Sequence, residues 1–452
     1  MHTIGLDIGT TTICGVLVDG RTGEVKKKLT LPNTSAIPSQ KPYERLQDPN
    51  TILMLCKKIL NTLLDESTDV SAIGITGQMH GILYIDSKGA PLSPLYSWQD
   101  GRGNLEIEPG VTYSQMLSRI TGYPMATGFG LTTHFYNIKN GLVPSGADKI
   151  CTIGDFVAMS LTENSTPILH SSNGASIGMF NLQYHSFDEY ALLEAGIAPD
   201  IVPKVTKELL PLGKTKDGKI VSTAIGDNQA SFLGSVSDDE SILVNVGTSS
   251  QISVAIGQKI DSCGVETRPL LEDSMIAVGC PLCGGDAYAL LKSFFEKVAL
   301  MLRTEAKDLY SKMDREAEAA YYDENQLIVD TRFMGTRHDP FLRGSIANIG
   351  TNNFTPGHLA LGVLKGICEE LYQLYTSMSL PERKYKKLVG SGNGIRKSPL
   401  LQEIFSKRFN MDLCIPLYEE EASYGMALMA LCLSCGIRAH EARKLIKYKE
   451  ES

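Results

Sequence analysis

One pattern occurs twice in this chain. Residues 4–18 read IGLDIGTTTICGVLV and residues 242–256 read ILVNVGTSSQISVAI. Each is an apolar strand, a Gly-Thr turn and a second apolar strand, so each predicts a β-hairpin. Gly9-Thr10 falls on Gly247-Thr248, and Asp7 falls on Asn245. A chain of 452 residues exceeds one ordinary core. The repeat therefore predicts duplicated α/β domains that each open with a hairpin, the turns pointing into a shared central cleft. The polar, acidic stretch at Ser235–Ser241 is the expected boundary, giving domains 1–237 and 238–452.

A tight Gly/Thr/Ser turn presents consecutive backbone N–H groups, and its hydroxyls add further donors. Gly9, Thr10 and Thr11 in one turn and Gly247 and Thr248 in the other therefore suit phosphate, although either alone would pass for an ordinary hairpin turn. Only the first copy carries a carboxylate. Asp7 at the end of its strand would hold Mg²⁺ through waters, because that ion sheds its hydration shell reluctantly. There is no GxxxxGK[ST] loop to compete for the phosphates.

Elsewhere strands and helices alternate. Asp48-Pro49, Thr355-Pro356 and Ser398-Pro399 each read as an N-cap followed by proline at the first helical position. Helices are expected after each, the last two over about residues 357–378 and 399–409. Gly390, Gly392 and Asn393 lie in a glycine cluster between a short strand and a helix, where bare backbone would let a flat adenine ring approach. The plainer reading of that cluster is a strand-to-helix turn; Gly284-Gly285 would form the opposite wall.

With 42% apolar and 21% charged residues, the composition is that of a folded globular chain. A formal charge of −8 argues against nucleic acid or anionic lipid as partner. The start enters a strand directly, without a leader-like segment, and no apolar run is long enough to span a bilayer. A cytoplasmic enzyme with reduced thiols is expected, with a homodimer left open. The CxxC pairs Cys280/Cys283 and Cys432/Cys435 would offer four zinc ligands, but the second pair sits in an apolar helical run and reads better as packing.

These motifs in this order resemble the FGGY carbohydrate kinases over almost the whole chain. DIGTTT is similar to their first phosphate turn, VGTSS to their second, and Gly390-Ser391-Gly392 to their adenosine segment. Ile225-Gly226-Asp227-Asn228-Gln229-Ala230 resembles the segment that supplies their catalytic aspartate, and Gly77-Gln78-Met79-His80-Gly81 the ketose-contacting element of xylulokinases. Within the family, Trp98-Gln99-Asp100-Gly101-Arg102, Ala126-Thr127-Gly128-Phe129-Gly130 and Gly335-Thr336-Arg337-His338 look most like the sedoheptulokinase branch. Thr336 replaces an acidic residue of that last motif, and Cys14 stands where many relatives carry a basic one.

The resemblance implies a two-domain actin-like ATPase fold of ribonuclease H-like type, and ATP with Mg²⁺ as cofactors. It implies phosphorylation of a ketose, sedoheptulose to sedoheptulose 7-phosphate, with a five-carbon ketose as alternative. A non-catalytic sugar or nucleotide sensor is the rival from another class; the intact Asp7 and Asp227 speak against it. Asp227 would be the catalytic base, its plainer role being a helix N-cap. Gln78, Met79, His80, Trp98, Asp100, Arg102 and Asn228 would surround the sugar. Their plainer roles include a core histidine at His80 and a turn salt bridge between Asp100 and Arg102. Two glycines around Phe129, where a glycerol kinase has a Tyr near Gly128, are expected to lengthen the pocket for a seven-carbon substrate.

Overall fold

The computed structural model describes residues 1–336, 339, 341–380 and 385–449. Two compact units emerge. The first comprises Met1–Ser237, Arg268–Met275 and Glu420–Ile446, and the second Asp238–Thr267, Ile276–Glu419 and Lys447–Ser452. The division is thus not a single cut near residue 237, because a late helical segment packs with the first unit.

The first unit is built on a seven-stranded sheet. Its path runs Pro211–Lys214, Ile220–Ser222, Val70–Gly77, His2–Ile8, Thr12–Asp19, Val25–Pro32, and Ile225–Gly226 also pairs with Val70–Gly77. His2–Ile8 and Thr12–Asp19 form the first expected hairpin, closing at Ile8 opposite Ile13. Ile4, Leu6 and Ile8 are fully buried. They share a core with Ile52, Ile59 and Leu63 of the helix Pro49–Asp65. Asp48 starts that helix as the sequence predicts, its carboxylate accepting the N–H groups of Asn50 and Thr51.

Small residues explain why the helix Glu421–Cys435 joins this unit. A Cβ at Gly5 would lie 1.7 Å from the carbonyl oxygen of Ser423, and one at Gly74 would lie 2.1 Å from that of Met426. The helix backbone rests directly on the sheet, a contact no larger residue would allow. It also meets the helix Asp227–Ser235 through Gly234 and Gly425.

The second unit repeats the scheme. Its six-stranded sheet runs Val265–Pro269, Met275–Gly279, Ser250–Ile256, Ser241–Val246, Lys387–Ser391, Leu413–Cys414. Ser241–Val246 and Ser250–Ile256 are the second expected hairpin. In both sheets the hairpin's first strand lies between its antiparallel partner and a parallel strand reached by a crossover. That shared order is the duplicated ribonuclease H-like arrangement of the actin-like ATPases. The capped helices appear at Pro356–Ser377 and Pro399–Phe409, with Thr355 and Ser398 accepting the N–H groups of His358 and Leu401. No helix among the described residues is long and apolar enough to cross a membrane. In the Gly335–His338 motif, Thr336 donates its N–H to the carbonyl of Asp339, while Arg337 and His338 lie outside the described residues.

Candidate active site

Three parallel strand segments of the first unit end side by side. Asp7 is registered with Thr76, Ile8 with Gly77, and Gly226 with Gly77. Their carboxyl ends deliver Asp7 with the Gly9 turn, then Gln78-Met79-His80, then Asp227-Asn228. Ligands of open α/β sheets bind where parallel strands end in this way.

Side chains tie the first turn to the second segment. Thr10 donates its hydroxyl to Gln78 Oε1 at 3.2 Å and accepts from Trp98 Nε1 at 2.9 Å. Gln78 donates to Gln47 Oε1 at 2.8 Å, and Gln47 returns to the Thr10 carbonyl at 2.9 Å. Trp98 is 46% exposed, a platform at the surface rather than core. His80 adopts φ 71°, stacks on Phe129 with centroids 4.9 Å apart, and places Nδ1 2.6 Å from the carbonyl oxygen of Ser176. Since that oxygen only accepts, Nδ1 carries the proton. Ser176 also accepts the His80 N–H, and Ser172 accepts that of Gly226. The short helix Ser171–Ile177 therefore positions both His80 and the approach to Asp227.

Two expected sugar contacts are corrected. Asp100 and Arg102 are 0% and 2% exposed and are engaged with each other, Nε to Oδ1 at 2.6 Å and Nη2 to Oδ2 at 3.2 Å. Arg102 also donates to Asn137 at 2.7 Å and lies 4.2 Å from the Tyr96 ring centroid, while Asp100 accepts the Arg45 N–H. Burial forces such a pair to satisfy itself, so the two brace the segment carrying Trp98 instead of reaching a ligand. The glycine argument for pocket length is corrected as well. Gly128 has φ +81°, and a Cβ there would lie 2.0 Å from the Trp98 carbonyl oxygen. Backbone packing requires that glycine, whatever the substrate's size.

Asp7 and Asp227 are both half-buried. Burial, then the charge of Asp227, then that of Glu420 push the Asp7 carboxyl up to about 7. Its Oδ1 is shut off from solvent without a hydrogen-bond partner. A hard cation would supply the missing partner and relieve the repulsion, so the residue fits Mg²⁺. Among the described residues no cluster of three or more His, Cys, Asp or Glu is arranged to hold a metal. Asp227 is the first residue of its helix, with Gly226 as N-cap, and its Oδ1 accepts the N–H of Asn228 at 2.7 Å. Burial raises its carboxyl to about 6 despite that bond and the nearby charge of Arg268. Arg268 donates to Asn228 Oδ1 at 3.1 Å. Met79 is buried, and a Cβ at Gly226 would lie 2.7 Å from its sulfur, so Met79 supports the Asp227 turn from behind.

In the second unit the Gly247 turn is closed by its own N–H to the Ser249 carbonyl, 2.9 Å. The helix Gly285–Met301 begins on it: Gly285 N–H reaches the Gly247 carbonyl at 2.9 Å and Asp286 N–H that of Thr248 at 3.0 Å. A Cβ at Gly284 would meet Ser249 at 2.4 Å, so this glycine pair is spent on the turn itself. Thr248 is exposed. Asn245 donates to Ser391 Oγ at 2.8 Å, and Gly392 packs its Cα against the Val246 carbonyl. Gly390, Gly392 and Asn393 thus adjoin the second turn along neighbouring parallel strands.

Gln47, Ser172 and Arg268 escaped the sequence reading. Each belongs to no motif, and only the fold brings it to the site.

The model of the FGGY family of carbohydrate kinases, N-terminal domain, matches residues 2–241, and that of the C-terminal domain matches residues 243–433. Sedoheptulokinase of Mus musculus is 26% identical, covering 95% of this chain and 97% of that protein. Xylulose kinase of Staphylococcus xylosus is 23% identical, covering 95% and 90%. The crystal structure of xylulose kinase from Rhodospirillum rubrum superposes with a TM-score of 0.84 at 19% identity, over 100% of this chain and 93% of that one. Family matches over nearly the full length, on a duplicated fold, make this chain a member of the FGGY family of carbohydrate kinases.

Proposed function

We propose that this kinase transfers the γ-phosphoryl group of ATP to a ketose, with sedoheptulose as the preferred acceptor and sedoheptulose 7-phosphate as product. The observation that carries the reading is the convergence of Asp7, Gln78 and Asp227 at the ends of adjoining parallel strands.

Asp227 takes the proton as the sugar hydroxyl attacks. The sugar O–P bond forms, the bond to the departing ADP breaks, and the proton stays on the carboxylate. A carboxyl at about 6 is mostly ionised at neutral pH and more basic than an ordinary Asp, a compromise that suits a general base. Gln78, His80, Trp98 and Asn228 orient the sugar, with His80 held by Ser176 and Phe129. Gly9, Thr10 and Thr11 hold phosphate oxygens with N–H groups and hydroxyls, as do Gly247 and Thr248, backed by Gly285. Gly390, Gly392 and Asn393 receive the adenosine. Asp7 would hold Mg²⁺, which when bound neutralises charge on the transferred phosphoryl group.

Similarity to the mouse sedoheptulokinase along both chains supports the seven-carbon acceptor. Similarity to the staphylococcal xylulose kinase supports the second reading, a five-carbon ketose. A matched assay of sedoheptulose, D-xylulose, D-ribulose and glycerol decides between them. Sedoheptulose is expected to give the highest kcat/KM; a higher value for D-xylulose would replace the first reading with the second and leave the role of Asp227 intact.

A further inference from the structure

The second unit contains a cavity of about 660 Å³ apart from its turn and glycine cluster. Its floor is apolar, with Leu327, Val329 and Ile404, while Lys365, Lys407 and Arg408 line it against one carboxylate, Glu369. In a chain of net charge −8 this is a local excess of positive charge.

The three cations are not equivalent. Arg408 is held by Glu369 at 2.6 Å and lies over the Tyr372 ring at 3.6 Å. Lys407 pairs with Glu403 at 2.7 Å through two exposed side chains, a bond that solvent screens and that is easily exchanged. Lys365 is half-buried, hydrogen bonds to the neutral amide oxygen of Gln326, and has no carboxylate partner among the described residues. Lys365 and Lys407 nonetheless approach the same ring, lying 5.4 Å and 4.7 Å from the centroid of Tyr321. Burial, with the charge of Lys407 added, lowers the pKa of Lys365. Two ammonium groups gathered over one ring, one of them uncompensated, form a site that an anion would complete.

We propose that this cavity binds a small phosphomonoester, its phosphate between Lys365 and Lys407 and its carbon body on the apolar floor. The volume falls in the range of small-molecule sites, and the charge of a phosphate at neutral pH answers two cations better than a single carboxylate would. Neither Asp7, Asp227 nor either Gly-Thr turn lines this cavity, so the site is distinct from the candidate active site.

The test is calorimetric titration of the full-length protein with ribose 5-phosphate, comparing wild type, Lys365→Gln and Lys365→Arg. Lys365→Gln should weaken this binding about tenfold or more, the value of one charge-assisted hydrogen bond, while Lys365→Arg retains most of it. Turnover without added phosphoester should be unchanged in both variants, and their melting curves should match wild type. Equal affinity in wild type and Lys365→Gln, or no binding by wild type, would overturn the proposal. The readout is binding, so it is independent of which sugar the kinase phosphorylates.

Discussion

The two hairpins share one backbone plan and differ in charge at the end of the first strand. In the first, Asp7 ends the strand with a carboxylate oxygen that lacks a partner, and Gln47, Gln78 and Trp98 crowd around Thr10. In the second, Asn245 stands at the matching place with its amide tied to Ser391, and a helix start rather than side chains braces the turn. The duplication kept the hairpin backbone in both copies, while the strand-end carboxylate stands in only one, so the two turns are not chemically equivalent.

The largest effect should come from Asp227, which lies in the first unit. Asp227→Asn is expected to lower kcat by roughly two to four orders of magnitude, the span for losing a general base, with melting temperature nearly unchanged. Wild-type kcat/KM should rise with pH through about 6 as this carboxyl loses its proton, and the variant's residual rate should lose that limb. A variant keeping the limb would assign it to another group.

Asp7→Asn makes the first turn resemble the second. Apparent Mg²⁺ affinity should fall by about 10- to 100-fold while sugar affinity stays, measured by metal and sugar titration of turnover. It also tests the electrostatics. The folded-state pKa of Asp7 is raised from 3.8 to about 7, so its contribution to stability is full below about pH 4 and lost as pH rises through about 7. The variant should therefore melt higher than wild type near pH 8 in the absence of metal, and the gap should close toward pH 4. A gap that widened on acidification would reverse the assignment.

Gly128→Ala tests whether packing or substrate size explains the glycine beside Trp98. Steric conflict with the Trp98 carbonyl and a left-handed backbone should cost about 1–3 kcal/mol of stability in a denaturant titration. An undisturbed variant with altered sugar preference would restore the pocket-length argument. The smallest effect is expected for Asn245→Asp, the reverse exchange to Asp7→Asn. A carboxylate there should repel a nucleotide phosphate and raise the KM for ATP only several-fold, since Mg²⁺ would offset part of the charge.

Local signals carried much of this architecture in the sequence itself. The hairpins show because apolar runs flank a Gly-Thr turn, and the helices starting at Pro49, Pro356 and Pro399 show because Asp48, Thr355 and Ser398 cap them. Long-range packing was not legible. The helix Glu421–Cys435 belongs with the first unit through backbone contacts at Gly5 and Gly74, which no periodicity announces. Asp100 and Arg102 looked like ligand contacts because charge near a tryptophan is ambiguous until burial is known. Ser172 acts through one hydroxyl, a signal too common in sequence to single out.

The most direct test of the central claim is the stoichiometry of one reaction: purified protein, MgATP and sedoheptulose, with ADP release followed alongside the mass of the sugar product. The account predicts one sedoheptulose monophosphate for each ADP, and no sustained ADP release without sugar. ADP accumulating without sugar phosphate, or neither product forming with sedoheptulose or any five-carbon ketose, would contradict it.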